Sequence, residues 1–461
     1  MCRLWLIMSV TLWVAGCRSH ELPMEVARPD VRLTANDRLL IFAPHPDDEV
    51  LGCGGIIQQA VARQLPLRIA FFTDGDFNQW SFLVYRKHPV FMPKAIQRMG
   101  LVRAEEAVAA ARIFGLTPDH LVFLGYPDFG TLTIWKTHWA DRPPFKSLLS
   151  RAEAVPYDNA LRPGASYKGE DILQDLTTVL REFRPTKVFL SHPGDHMPDH
   201  AALYLFTRVA LWDVEREMTP ELYPYLIHFK RWPKPRGFRP SALLTPPALF
   251  RSQIPWVIHP LQPDEVVRKR QALEAHWTQY HSAAAYLLSF VKANELFGDF
   301  PIVNLPPSAD TTALIAGGGD ISETSEELTD EERAAFVGVE TRTVQLDGKT
   351  LVFSIEFSRP LAEAVQASLF MFGYRADRPF AEMPKLHLKI GLLDQDLYDQ
   401  DRKLPERSVS IKRGLKSVTV RVPLALLGSP QRILTSARTF LGEVPLDWTS
   451  WRILQLPVPQ K

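Results

Sequence analysis

The chain has 461 residues, 46% hydrophobic and 23% charged, a globular composition that excludes a disordered or collagen-like polymer and has room for two or three domains. Lys and Arg number 53 against 52 Asp and Glu, so the basic excess that captures nucleic acid is missing. Only three cysteines occur, two of them within the first 17 residues, which excludes a disulfide framework.

After Met1-Cys2-Arg3 comes an apolar run, residues 4–15, too short for a permanent membrane helix and shaped like the h-region of a secretory signal. Its end, Val14-Ala15-Gly16-Cys17, resembles a bacterial lipobox. Residues 1–17 are therefore expected to be a lipoprotein signal peptide lipidated at Cys17. The address implied is the cell envelope, lipid-anchored and extracytoplasmic (outer membrane or periplasmic face in a Gram-negative cell). An ordinary signal peptide with a chance cysteine is the plainer alternative.

Leu39 to Ala43 is an unbroken apolar run of the kind buried parallel strands show. Helix is expected over 50–63, and strand over 67–72, which stops at the turn signal Thr73-Asp74-Gly75-Asp76. A helix over 102–114 capped by Gly115, a strand over 121–124, a helix over 170–183 and a strand over 188–190 continue the alternation. This predicts an α/β domain at 37–305 with a Rossmann-like, mostly parallel sheet, whose reactive groups gather at strand carboxyl ends. His45, Asp74 and His192 all fall there. The Pro- and Trp-rich stretches 131–165 and 229–262 are expected as ordered loops near the site, and 264–297 as helical. Residues 306–332 look like a linker. Residues 333–461, alternating apolar and polar at 350–357, 386–392 and 417–422, predict a C-terminal β-sandwich-like domain.

Two segments directly after strands carry the chemistry: Pro44-His45-Pro46-Asp47-Asp48-Glu49, and Ser191-His192-Pro193-Gly194-Asp195-His196-Met197-Pro198-Asp199-His200. A catalytic Zn²⁺ takes three imidazole or carboxylate ligands and keeps a position open. One His and one Asp from the first segment and one His from the second supply such a set. The remaining carboxylate is then available as a general base.

Ala43-Pro44-His45-Pro46-Asp47-Asp48-Glu49 followed by Gly52-Cys53-Gly54-Gly55 resembles the signature of the PIG-L/LmbE family of zinc-dependent N-deacetylases. Thr73-Asp74-Gly75, Arg103-Ala104-Glu105-Glu106, Gly125-Tyr126-Pro127-Asp128 and Pro198-Asp199-His200 extend the resemblance across residues 37–300. It implies Zn²⁺ held by His45, Asp48 and His200, with Asp47 as general base. The implied reaction removes an N-acetyl group from an N-acetylated sugar, of the N-acetylglucosamine glycoconjugate or envelope-polysaccharide kind. The family often closes its second motif as His-Pro-Asp-His, whereas Met197 stands here in place of the first His. The imidazolium thought to steady the oxyanion is thus left open among His196, His192 and His228.

Local alternatives accompany each residue. Asp47 and Asp48 suit a helix N-terminus as caps. Asp74 either orders the site by accepting hydrogen bonds or finishes its turn. Arg103 either anchors a substrate hydroxyl or pairs with Glu106, and Asp128 either meets sugar hydroxyls or shapes a turn. Cys53 is expected as packing filler, His276 with Gln279 as structural, and the acidic run 394–401 as a solvated turn. Trp448 and Trp451 suit sugar stacking or core packing, with core the expected place. Two other functions compete: a non-catalytic envelope glycan-binding lipoprotein with a residual zinc site, and a zinc amidase acting on a different amide.

Overall fold

A computed structural model describes residues 30–77, 87, 89–306, 311–317 and 328–457. The expected signal peptide and Cys17 lie outside the described residues. Among those residues no helix is long and apolar enough to cross a membrane.

The first sheet holds β1 (Leu39–Ala43), β2 (Leu67–Thr73), β3 (Leu121–Tyr126), β4 (Lys187–Ser191), β5 (Glu221–Tyr225), β6 (Val257–Pro260) and β7 (Asn294–Phe297), in the order β3-β2-β1-β4-β5-β7-β6. β1 to β5 are mutually parallel, and β7 and β6 run antiparallel at one edge. The fold is therefore the expected α/β one. The strand order reverses between β1 and β4, both buried along their whole length. In such sheets the crevice outside the strand ends at that reversal is where ligands bind. The segments containing His45 and His200 leave the sheet at these two neighbouring strands.

The helix Asp48–Ala62 follows β1 and packs tightly on the sheet: a Cβ on Gly52 would lie 2.5 Å from the Tyr225 ring. Cys53 beside it is fully buried, as packing filler should be. The helix expected at 102–114 begins earlier, at Pro93, and ends at Ile113. Pro198–Asp213 forms a helix with no expected counterpart, because Asp199 to Trp212 are all buried and the segment lacks a polar face that would reveal a helical period. The stretches expected as loops are partly regular: Thr131–Thr137 is a helix and β6 falls at 257–260. Within 264–297, helices Pro263–Ala275 and Trp277–Leu287 give way to β7.

The C-terminal region is a pair of largely antiparallel sheets. One has the order β16-β17-β11-β10-β9, from β9 (Ala313–Gly317), β10 (Val339–Asp347), β11 (Thr350–Phe357), β16 (Ser410–Arg413) and β17 (Ser417–Pro423). The other runs β15-β14-β13-β12-β18-β20-β8, with β19 (Val444–Trp448) also on β18. Its strands are β8 (Val303–Asn304), β12 (Val365–Tyr374), β13 (Lys385–Ile390), β14 (Gln395–Asp399), β15 (Arg402–Leu404), β18 (Arg432–Leu441) and β20 (Arg452–Gln455). The stretch expected as a linker thus supplies β9, which pairs with β10. The acidic run is mostly strand and only residues 400–401 are a turn: β14 buries Leu397 in the sandwich core and turns Asp396 outward to Lys403, 2.6 Å away.

β12 is buried on both faces. Leu369 and Met371 enter the core between the two sheets, while Phe370, Phe372 and Tyr374 join the core of the α/β region. Trp451 packs there too, with Phe372 at 5.5 Å and Trp135 at 6.4 Å between ring centroids. Of the two C-terminal tryptophans, Trp451 is core. The sandwich and the α/β region share one hydrophobic cluster.

Candidate metal centre and active site

Asp47 stands at the N-cap position of the helix Asp48–Ala62, yet its side chain makes no cap bond, so the capping reading fails. Its backbone has φ 131°, a region that L-residues rarely occupy. Glu49 holds it there by accepting the Asp47 N–H at 3.0 Å, and Glu49 Oε1 lies 2.8 Å from His276 Nε2. His276 is therefore structural, as expected, but its partner sits directly behind Asp47. Strain that the surroundings maintain is typical of reactive positions.

His45, Asp48 and His200 come together. Asp48 Oδ2 lies 3.1 Å from His45 Nδ1 and 3.1 Å from His200 Nε2. One donor atom from each of the three falls within 4.8 Å of the others. Each imidazole has a carboxylate behind it. His45 Nε2 is 3.2 Å from Asp128 Oδ1 and 3.4 Å from Asp199 Oδ2, and His200 Nδ1 is 3.1 Å from Asp195 Oδ2. Carboxylates placed behind histidines in this way set the tautomer and orientation of metal ligands.

Burial alone would lower both imidazoles. Asp128, Asp199 and Asp48 instead hold His45 well above the usual histidine range, and Asp195 and Asp48 raise His200 to about 9. Burial, then the neighbouring Asp48 charge, pushes Asp47 above the usual carboxylate range. Asp48 itself is drawn far below it, because His200 and His45 outweigh its burial. His200 is fully buried, and among the described residues neither ring nitrogen has a partner in hydrogen-bond geometry. Five buried aspartates face two imidazoles and Arg103. Converging donors, an imidazole without hydrogen bonds and an excess of negative charge all fit a bound dication. The nitrogen and carboxylate donor set suits Zn²⁺.

Arg103 is fully inside the site and does not pair with Glu106. It donates to Gly75 O at 2.9 Å and Pro46 O at 2.8 Å, with Nη2 3.7 Å from Asp47 Oδ1. Glu106 instead accepts from Thr278 N and Oγ1 at the start of the helix Trp277–Leu287. The turn after β2 is closed by Thr73 Oγ1, which accepts from Gly75 N. A Cβ on Gly75, at φ +65°, would fall 1.7 Å from Arg103 Nη1, so only glycine admits the guanidinium here. Asp74 is the middle residue of that turn; among the described residues neither of its buried oxygens has a hydrogen bond, and burial with the charge of Asp76 raises it to about 8.

The three open histidines separate. His192 is stacked among Phe250, Trp256 and Phe300, with Nδ1 accepting from Gly194 N at 2.9 Å. His196 lies between Phe229 and Trp448. Of the three, His228 has its ring against the candidate ligand His200, 4.8 Å away, and stacked on Tyr286. Burial lowers His228 to about 4, the nearby Asp195 notwithstanding.

Three contributors went unassigned in the sequence. Asp195 accepts from Met197 N, Ile227 N and His228 N besides facing His200. Asp199 accepts from Phe129 N at 2.6 Å, and from Thr131 N and Oγ1, locking the loop that carries Asp128. Phe129 itself has φ 59° and stays 43% exposed beside the site. Both aspartates belong to the second motif, and their position there was the only available signal.

The fold and this centre together define an α/β domain built around a candidate metal-hydrolase site at a sheet reversal. Residues 40–211 match the model of the PIG-L family, described as GlcNAc-PI de-N-acetylase. Two Mycobacterium proteins, from strains KMS and JLS, are each named 1D-myo-inositol 2-acetamido-2-deoxy-alpha-D-glucopyranoside deacetylase. Each is 26% identical over 188 residues, covering 39% of this chain and 53% of the relative. The chain thus spans about half the length of the curated relatives it matches. Among solved structures, N,N'-diacetylchitobiose deacetylase from Pyrococcus horikoshii aligns at 18% identity over 54% of this chain and 75% of that one, with a TM-score of 0.33. A conserved protein of Thermus thermophilus aligns at 22% identity over 55% of this chain and 84% of that one, also with a TM-score of 0.33.

Proposed function

We propose that this protein is a zinc-dependent N-deacetylase acting on an N-acetylated sugar. One observation carries the reading: His45, Asp48 and His200 converge within ligand distance while Asp47, in a strained backbone beside them, ligates none of them. A purely structural metal site has no use for such a carboxylate beside, but outside, the ligand set, which weighs against a binding module with a residual site. His45, Asp48 and His200 would hold the Zn²⁺, which when bound polarises a carbonyl and acidifies water.

The chain's own residues do the rest. Asp47, raised by burial, accepts a proton on its carboxylate and returns it to the leaving amine. Arg103 faces that carboxylate, and Glu49 fixes the Asp47 backbone by accepting its N–H. His228, held neutral, offers a ring N–H toward the developing oxyanion, a contribution of the kind commonly worth about 3 kcal/mol. This assigns the open role to His228 as a neutral donor rather than an imidazolium. The envelope address remains part of the proposal on the strength of residues 4–17 alone.

The test measures metal content and acetate release on N-acetylglucosamine oligomers. One zinc per chain is expected, with acetate lost but zinc kept in Asp47→Asn, and both lost in His200→Ala. Zinc without acetate in the native protein, alongside release of another acid from other amides, would transfer the reading to a different amidase. Absence of zinc would refute the ligand set.

A further inference from the structure

The sandwich reaches the loop that delivers His200. β19 ends with Trp448 against His196, with ring centroids 5.2 Å apart and planes at 83°. On its other side His196 meets Phe229 at 4.7 Å. The His196 N–H donates to His228 O at 2.8 Å, and the His228 ring adjoins His200. The contact is firmly held: a Cβ on Gly194 would fall 2.9 Å from Ser450 Oγ, and Arg452 bonds Gln253 across the same seam.

Trp448, His196 and Phe229 are all half-buried. Trp448 belongs to none of the hydrophobic clusters that form the cores, unlike Trp451 three residues on. The His196 Nε2 is buried and has no hydrogen-bond partner among the described residues. Phe229 also packs on Phe250 at 4.8 Å and against the α/β core, so the partly open face is that of Trp448, and such a face beside a half-buried imidazole suits a sugar ring, whose C–H face stacks on π-surface.

We propose that Trp448, His196 and Phe229 form a subsite for a second sugar ring, joined to the N-acetylated unit held at the metal centre. The inference rests on the deacetylase reading and extends it: the substrate has at least two rings, and the sandwich takes part in recognising it. Trp448 is a specificity residue and not a catalytic one.

The experiment compares N-acetylglucosamine with N,N'-diacetylchitobiose as substrates of the full chain, in native, Trp448→Ala and Trp448→Phe forms. The native KM is expected to be about tenfold lower for the disaccharide, the ratio expected of a stacking contact. Trp448→Ala should abolish that ratio and Trp448→Phe should keep most of it, with zinc content unchanged in both. An undiminished ratio in Trp448→Ala overturns the subsite. Calorimetric binding of glucosamine and its β-1,4 dimer separates the two claims, because it needs no turnover. If the native protein releases no acetate, the deacetylase reading fails while a dimer preference lost in Trp448→Ala still supports the subsite. No dimer preference in native binding overturns it.

Discussion

Replacing Trp451 by alanine tests whether the sandwich and the α/β region unfold together. Trp451 is only 7% exposed and lies in the cluster that holds Trp135 from one region and Phe370 and Phe372 from the other. Truncating a buried tryptophan costs about 3–5 kcal/mol. If the whole chain melts as one unit, its unfolding entropy is roughly 1.0 kcal/mol/K at ~2.1 cal/mol/K per residue, and Tm falls by about 4 °C. If the C-terminal region melts alone, roughly 130 residues carry about 0.27 kcal/mol/K and its own transition falls by about 15 °C. Scanning calorimetry of native and Trp451→Ala proteins separates these values. The shared cluster requires a single transition with the small shift. Two transitions, with only one moving by more than about 10 °C, would refute the argument.

Asp195→Asn removes the charge behind His200 while keeping one oxygen for the backbone N–H groups. Zinc affinity should fall about 10–100-fold, read by competition with a chromophoric chelator, and an unchanged affinity would deny Asp195 its positioning role. A pH effect follows from His192, which burial and Arg452 hold down to about 3. The unfolded chain binds this proton near pH 6.5 and the folded one does not, so unfolding takes up a proton and acid destabilises the fold. The lost stability begins below pH 6.5 and continues toward pH 3, at up to about 1.4 kcal/mol per pH unit. Raised carboxylates such as Asp74 slope the other way, so the readout is a difference. His192→Asn, which preserves an acceptor for Gly194 N, should lose stability less steeply than the native protein in urea titrations between pH 6.5 and 4.5. Equal slopes would show that His192 is not buried neutral.

Legibility followed how locally each feature is encoded. β1 could be read because five apolar residues end abruptly in Pro44-His45-Pro46-Asp47-Asp48, and β11 and β17 because one face alternates with the other. The helix Pro198–Asp213 and the strand β12 are packed on every side, so their apolar runs carry no period. In β12 the run Ser368-Leu369-Phe370-Met371-Phe372 was the signal of two-sided burial, and its meaning depends on a partner surface more than 150 residues distant in the chain. Of the two readings of Arg103, the pair with Glu106 fails for a related reason. Glu106 lies one turn away on the same helix, but the guanidinium is taken up by carbonyls at Gly75 and Pro46, brought there only by the sheet.

Met197 shows the same distinction within the site. By spacing, its loss of a histidine leaves a gap in the second motif, and His196 is the neighbour in sequence. In space His196 is committed to Phe229 and Trp448, whereas His228, arriving from the end of β5, stands against His200. Asp195 connects the two segments, since the same carboxylate oxygen that faces His200 accepts the His228 N–H. The proposed ligand His200, on the helix after β4, and the proposed donor His228, after β5, are therefore placed by one buried carboxylate. On that placement the proposed oxyanion donor comes from His228 although Met197 stands in the motif, because what the reaction needs is a ring at a location and not a residue at a number.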